Sequence, residues 1–328
     1  MFEKVSVADL QLVGKGKCGN VYALSEDRII KTFNSFVDLS AVEKERNNAQ
    51  RVHSMGIPTP QVYDIVTTQE GLGLIYERVD APSLEHLMHE YPSRFQDYSR
   101  SLGRLCRKIH SIDAAGSGFM SAKAEFLNRL ELSRDRICLV SGEESFRKIE
   151  RLVRAVPDTK GIVHGDFHPD NVLVKDGKLI LIDMADVTTG HPVFDLLSLY
   201  FLRVNKIKLW EIVEDHFESF SEEEKIKISE ILEKNQSTTF SEQEGTAFWT
   251  SFMEGYLGTD DQELISRVTK PIADFSYLYM AFSERSRAFL GEEIVNIATK
   301  EGVTVLLERM DQLTDALETT CFIPDKGI

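Results

Sequence analysis

The chain is poor in cysteine: Cys18, Cys106, Cys138 and Cys321 are all it has in 328 residues. They form no CxxC pair and no zinc-type spacing, which argues against a disulfide framework or a cysteine-built metal site and predicts free thiols. Long hydrophobic runs are missing too. No stretch reaches about 18 apolar residues, so neither a membrane span nor a membrane partner is expected. Residues 1–9 lack the basic-then-apolar order of a secretory leader, which predicts a cytoplasmic location. Basic charge is in deficit, with 38 Lys and Arg against 53 Asp and Glu and a formal charge of −15, the wrong sign for a nucleic-acid partner. Fixed-period repeats and low-complexity tracts are absent, which removes solenoids and linker arrays.

What is present is ordinary folded-protein composition, 42% hydrophobic and 28% charged, in a pattern that changes along the chain. Residues 5–33 carry short β-prone runs: Val5-Ser6-Val7, Leu10-Gln11-Leu12-Val13, Asn20-Val21-Tyr22-Ala23-Leu24 and Arg28-Ile29-Ile30-Lys31-Thr32-Phe33. A polar helix is expected from Asp38 to Met55, capped by Asp38 or Ser40 and stopped by Gly56-Ile57-Pro58. Strands at Val62–Thr67 and Gly73–Glu77 complete a five-stranded antiparallel sheet bearing one helix. Beyond Ser83 the spacing turns helical. Segments at 194–202, 209–217, 222–232, 248–257 and 271–289 read as helices. The expected fold is α+β and two-lobed: residues 1–77 an N-terminal sheet lobe, 78–82 a hinge, 83–328 a larger helical lobe.

One segment breaks the helical text and carries chemistry. His164-Gly165-Asp166-Phe167-His168-Pro169-Asp170-Asn171 follows Ile162-Val163 and precedes two apolar runs, Val172-Leu173-Val174 and Leu179-Ile180-Leu181-Ile182, joined by Lys175-Asp176-Gly177-Lys178 and ending on Asp183. The runs predict a hairpin that presents Asn171 and Asp183 together. Phosphoryl transfer needs a carboxylate to take the acceptor's proton and oxygen ligands for magnesium. Asp166 suits the first role, Asn171 and Asp183 the second. His168, two residues past the base, could meet the transferring phosphate, whereas His164 reads as a buried, satisfied histidine. The alternation His164, Asp166, His168 also keeps a zinc or iron hydrolase open.

Upstream, Gly14, Gly16 and Gly19 fall at GxGxxG spacing between strands rather than before a helix, as a phosphate lid would. Lys31 lies within an apolar strand, where a lone ammonium is costly unless phosphates or a carboxylate pair with it. Glu45 on the following helix is the candidate carboxylate and Glu43 the second choice. Glu77 and Val79 sit where backbone groups could meet a base edge in an apolar slot. Asp195 is either a cap or a buried acid tying down the loop. Asp186 is a weak candidate for a second magnesium. Phe248, Phe252 and Tyr256 recur at helical spacing as a core stripe. With Trp249 and Glu254, an amine-binding site there is the alternative.

In this order the elements resemble the aminoglycoside phosphotransferase and choline kinase family of protein-kinase-like enzymes, over most of residues 10–205. His164–Asn171 is similar to that family's HGDxHxxN signature, joined to Asp183 and to Gly190-His191-Pro192-Val193-Phe194-Asp195-Leu196. Gly165 and His168 stand where eukaryotic protein kinases usually have Arg and Lys, and Met184-Ala185 replaces their Phe-Gly. The resemblance implies Asp166 as base, Asn171 and Asp183 as magnesium ligands, Lys31 on the nucleotide phosphates with Glu45 orienting it, and Gly14, Gly16 and Gly19 as the lid. It implies ATP as donor, with GTP left open, and a hydroxyl on a small aminoglycoside-, choline- or sugar-like molecule as acceptor. Residues 1–77 hold 8 basic against 10 acidic side chains and the rest 30 against 43, which favours a cationic acceptor. A protein Ser/Thr kinase and a catalytically silent nucleotide-binding module are the competing expectations.

Overall fold

The computed structural model describes residues 2–16, 19–236, 241–282, 291–320 and 322. Lys17, Cys18, Cys321 and the end of the helix expected to reach Phe289 lie outside the described residues. The chain forms two compact units. One is Met1–Arg94 with Gly116–Phe119 and His164–Val187; the other is Phe95–Ala115, Met120–Val163 and Thr188–Ile328.

The first unit is built on a five-stranded antiparallel sheet: β1 (Leu12–Lys15), β2 (Asn20–Ala23), β3 (Arg28–Thr32), β4 (Val62–Thr68) and β5 (Gly71–Glu77), in the order β1-β2-β3-β5-β4. Register puts Ile29 opposite Tyr76 and Lys31 opposite Leu74, so these four share one face. Ile30 and Ile75 take the other face and pack with Val7 and Val66. The Val5-Ser6-Val7 run makes no sixth strand. Val5 donates to the Thr67 carbonyl, but the Val7 N–H goes to the Gln69 side chain, which ends ladder pairing after a single bridge. The next strand accordingly begins at Leu12 rather than Leu10.

Helix α1 (Leu39–Ser54) starts on Asp38, whose carboxylate accepts from Ala41 N–H, while Ser40 donates to that carboxylate rather than capping itself. It ends at Gly56, φ +75°, where a side chain would be strained. Its buried stripe is Val42, Glu45, Asn48, Ala49 and Val52, so two polar groups lie in an apolar row. After helix α2 (Leu84–Glu90), the unit is completed by the hairpin of Val172–Lys175 and Lys178–Leu181. Asp176 (φ 51°) and Gly177 (φ 73°) make its two-residue turn.

The second unit is helical around α3 (Phe95–His110) and the helix Glu242–Leu257. A Cβ on Gly103 would sit 2.0 Å from the Phe252 carbonyl oxygen, and one on Gly255 2.0 Å from that of Arg100, so the two backbones touch. Phe248, Phe252 and Tyr256 are fully buried and stacked in this core. Trp249 donates to Thr269 and Glu254 binds Arg100 at 2.7 Å, so the stripe is packing rather than an amine cage. Asp195 is a buried acid that lies 3.0 Å from His110 Nε2, while His110 Nδ1 is 2.9 Å from the Tyr256 hydroxyl. The helices expected at 194–202 and 209–217 join through a π turn at Phe201–Asn205, where Asn205 donates to Ser276. The helix expected to start at Pro271 instead runs Gln262–Phe275 through that proline, since Asp261 caps it upstream and Val268, Pro271 and Ile272 are buried. Among the described residues no helix is long and apolar enough to cross a membrane, and Cys106 and Cys138 are free thiols.

Candidate active site

Lys31 is the charged centre of the first unit. Strand alternation turns it away from its fully buried neighbours Ile30 and Thr32 and toward α1. Its Nζ lies 2.8 Å from Glu45 Oε1 and 3.2 Å from Asp183 Oδ1. Burial alone would push the ammonium's pKa down, but the charges of Glu45 and Asp183 outweigh it and raise it. Helical geometry decides between the two candidate glutamates: Glu45 is on the buried stripe, whereas Glu43 points to solvent. Glu45 Oε1 also accepts from the Tyr76 hydroxyl at 2.6 Å. Burial first, then the Glu45 charge, pushes the Tyr76 phenol well up.

Asp183 ends the hairpin in a left-handed conformation, φ 64°, which costs a non-glycine residue about 1–2 kcal/mol. Its neighbours hold it there. Ile182 N–H donates to the Asn171 carbonyl at 2.9 Å, fastening the residue before Asp183 to Asn171. The Asn48 amide, from α1, reaches the carbonyls of Met184, Ala185 and Val187 at 3.1, 3.3 and 3.3 Å. Helix α1 thus carries both the partner of Lys31 and the anchor of the segment after Asp183.

The loop before the hairpin is shaped by Gly165. Its φ is +85°, and a Cβ there would come within 2.4 Å of the Asp186 carbonyl oxygen, so only glycine fits. That requirement accounts for glycine at the position where protein kinases carry Arg. His164 is fully buried: its Nδ1 accepts from Asp166 N–H at 3.4 Å and its Nε2 faces the Ile182 carbonyl at 3.1 Å. This uses both ring nitrogens and removes His164 from any transition-metal site. Among the described residues no three His, Cys, Asp or Glu side chains gather as a metal cluster, which leaves the hydrolase alternative without its ligand set.

Asp166 Oδ2 lies 3.6 Å from His168 Nε2 and 3.3 Å from Asn171 Nδ2. Burial would raise the Asp166 carboxyl, but His168, His164 and Asn171 beside it prevail and hold it below the usual range. It is therefore ionised at neutral pH. Asn171 spends its amide nitrogen on the backbone carbonyl and carboxylate of Asp166, leaving its amide oxygen as a hard ligand atom. With the Asp183 carboxylate, it makes a donor set of the kind magnesium takes and zinc does not prefer.

The three glycines differ in kind. Gly14 pairs with Val21 in the sheet, and a Cβ there would make ordinary contact at 3.5 Å. Gly16 N–H donates to the Gly19 carbonyl at 2.8 Å, closing the loop. A Cβ on Gly19 would lie 1.8 Å from the Thr32 carbonyl oxygen, so Gly19 is required by the packing of the loop's root on β3. At the other end of the sheet the Glu77 carboxylate accepts from Gln61 N–H at 3.1 Å and Arg78 N–H donates to the Asp27 carbonyl, so the Glu77 side chain is used within the unit. Val79 is half-buried beside it.

Sequence reading missed Tyr76 and Asn48. Both carried a signal: Tyr76 alternates with buried Ile75 just before Glu77, and Asn48 follows Glu45 by three residues on an otherwise apolar stripe.

The model of the phosphotransferase enzyme family matches residues 9–218, nearly two thirds of the sequence. The chain belongs to that family. Over 157 residues this phosphotransferase-family protein is 25% identical to an aminoglycoside 3'-phosphotransferase of Escherichia coli, a match covering 44% of this chain and 57% of that relative. It thus spans just over half the length of the curated relatives it matches. Two of the solved structures that share the fold show its extent. The GDP complex of an aminoglycoside 2'-phosphotransferase-IIIa mutant superposes with a TM-score of 0.53 at 17% identity over 94% of both chains. A choline/ethanolamine kinase family protein from Mesorhizobium loti gives 0.54 at 13% identity, over 95% of this chain and 93% of that one. The expected protein-kinase-like α+β fold is the fold of this phosphotransferase-family chain.

Proposed function

We propose that this protein transfers the γ-phosphoryl group of ATP, or of GTP, to a hydroxyl of a small molecule of aminoglycoside, choline or sugar type. The observation that carries the proposal is one compact unit in which Asp166, His168, Asn171 and Asp183 join the Lys31–Glu45 pair. Nothing in that arrangement calls for a phosphorylation switch, and the position of Gly165 is closed to the Arg such a switch would need.

Asp166 accepts the acceptor's hydroxyl proton as that oxygen attacks the γ-phosphorus and the bond to the β-phosphate oxygen breaks, releasing the nucleoside diphosphate. His168 faces the transferring phosphoryl group and Lys31, oriented by Glu45, holds the donor's phosphates. Asn171 Oδ1 and the Asp183 carboxylate would hold magnesium, which neutralises phosphate charge when bound. Gly14, Gly16 and Gly19 form the lid, and backbone at Glu77 and Val79 meets the base. Residues 1–77 then serve as nucleotide lobe, 78–82 as hinge and 83–328 as catalytic and acceptor lobe. The acidic excess of the last region favours a cationic acceptor.

The test is nucleoside-diphosphate release with magnesium and ATP or GTP across a panel of aminoglycosides, choline, ethanolamine and sugar alcohols. Acceptor-dependent release supports the proposal. Transfer to protein substrates, read as intact mass, with none to small molecules would replace it with a protein kinase.

A further inference from the structure

Tyr76 and Lys31 reach the same atom. The phenolic O–H donates to Glu45 Oε1 at 2.6 Å and the Lys31 ammonium to that oxygen at 2.8 Å. Glu45 is 2% exposed, so no bulk water competes for it, and a carboxylate in that position is held by its donors alone. Without the phenol, Lys31 would be its sole side-chain donor among these contacts. The carboxylate could then turn about its stem and carry the ammonium with it. Tyr76 is also the residue before Glu77, at the end of the strand where the base is proposed to bind.

We propose that Tyr76 is a positioning residue: its hydroxyl fixes the rotamer of Glu45 and thereby places Lys31 for the phosphates of the donor. It touches neither the phosphates nor the reacting atoms. The inference rests on the nucleotide-binding reading given above. It concerns the phosphate end of the donor, because Tyr76→Phe keeps the ring and removes only the oxygen.

The experiment compares binding of a triphosphate with that of its nucleoside. Calorimetry of the wild-type protein with magnesium and ATP or GTP identifies the donor. Tyr76→Phe, Glu45→Gln and the double variant are then titrated with that donor and with the matching nucleoside. In Tyr76→Phe the triphosphate should bind about tenfold more weakly, the factor that corresponds to about 1.4 kcal/mol for one lost hydrogen bond to a charged group, with nucleoside binding unchanged. In the Glu45→Gln background the same substitution should have little further effect, since the route through Glu45 is gone. Equal triphosphate affinity in Tyr76→Phe, a parallel loss for the nucleoside, or an undiminished loss in the Glu45→Gln background each overturns the positioning role while leaving the functional reading intact. A wild-type protein that binds neither triphosphate overturns both. The substitution is isosteric, and a melting curve confirms that the variant is folded.

Discussion

Gly14 and Gly19 belong to one motif, yet alanine at the two positions should have opposite consequences for folding. A Cβ on Gly19 would lie 1.8 Å from the Thr32 carbonyl oxygen, against a floor of 3.0 Å for real Cβ contacts, so the loop's root must back away from β3 by about 1 Å. The oxygen belongs to backbone and no side chain can swing aside. Overpacking of this kind typically costs about 1–3 kcal/mol, and Gly19→Ala belongs at the upper end. Gly14 is different. Its Cβ would meet Val21 at 3.5 Å within a paired strand, so Gly14→Ala should be neutral or stabilising by up to about 1 kcal/mol through lost unfolded-state entropy. Urea unfolding reads both. Gly19→Ala should shift the midpoint down at unchanged slope, and Gly14→Ala should not. Nucleotide affinity adds the second axis: Gly14→Ala should weaken triphosphate binding without loss of stability, as expected of a phosphate-facing position. Wild-type stability in Gly19→Ala would refute the packing argument for the lid's root.

Asn48→Leu leaves the carbonyls of Met184, Ala185 and Val187 without their shared donor. It should cost about 1–3 kcal/mol in chemical unfolding and reduce turnover, because the strained Asp183 loses part of its support. A variant with wild-type stability and turnover would remove Asn48 from that role. His191 is buried and its pKa is lowered to about 4 by burial, with smaller contributions from His110 and Lys123. Between its ordinary 6.5 and that value the unfolded chain binds the proton and the folded chain does not, so stability falls as pH drops through this window. The shift corresponds to about 3 kcal/mol at most. Unfolding measured from pH 7 to pH 4 should show this slope, and His191→Gln should flatten it; an identical slope in the variant would contradict the assignment.

How much of this could be read in advance depended on the type of constraint. Periodicity and turn chemistry mark the five strands, a helix cap at Asp38 or Ser40, the Gly56 stop and the Asp176-Gly177 hairpin, because each rests on local backbone physics; the structure selects Asp38 as the cap. The spacing from Asp166 to Asn171 and Asp183 was legible for the same reason, since the hairpin fixes it. Helical periodicity ranks Glu45 ahead of Glu43 because the two lie on different faces of α1, and the fold buries the face that carries Glu45. Tyr76 and Asn48 carry a weaker signal, because a strand tyrosine and a helix asparagine are common surface residues and the partners that mark them, Glu45 and the Met184 carbonyl, come from tertiary packing. Pro271 reads as a helix start because proline disfavours helix interiors. The upstream Asp261 cap and the burial of Val268 and Ile272 override that preference. The glycine spacing carries no sign of the second demand on Gly19, its close approach to the Thr32 carbonyl.

Asp166 is proposed to remove a proton from a hydroxyl acceptor in a phosphoryl transfer. Its most direct test is Asp166→Asn, assayed for acceptor-dependent nucleoside-diphosphate release alongside calorimetric nucleotide binding. Asp166→Asn should bind nucleotide within about twofold of wild type and turn over about 10²–10⁴ more slowly, the range ascribed to a general base. Turnover at the wild-type rate in Asp166→Asn, with the donor still bound, would contradict it.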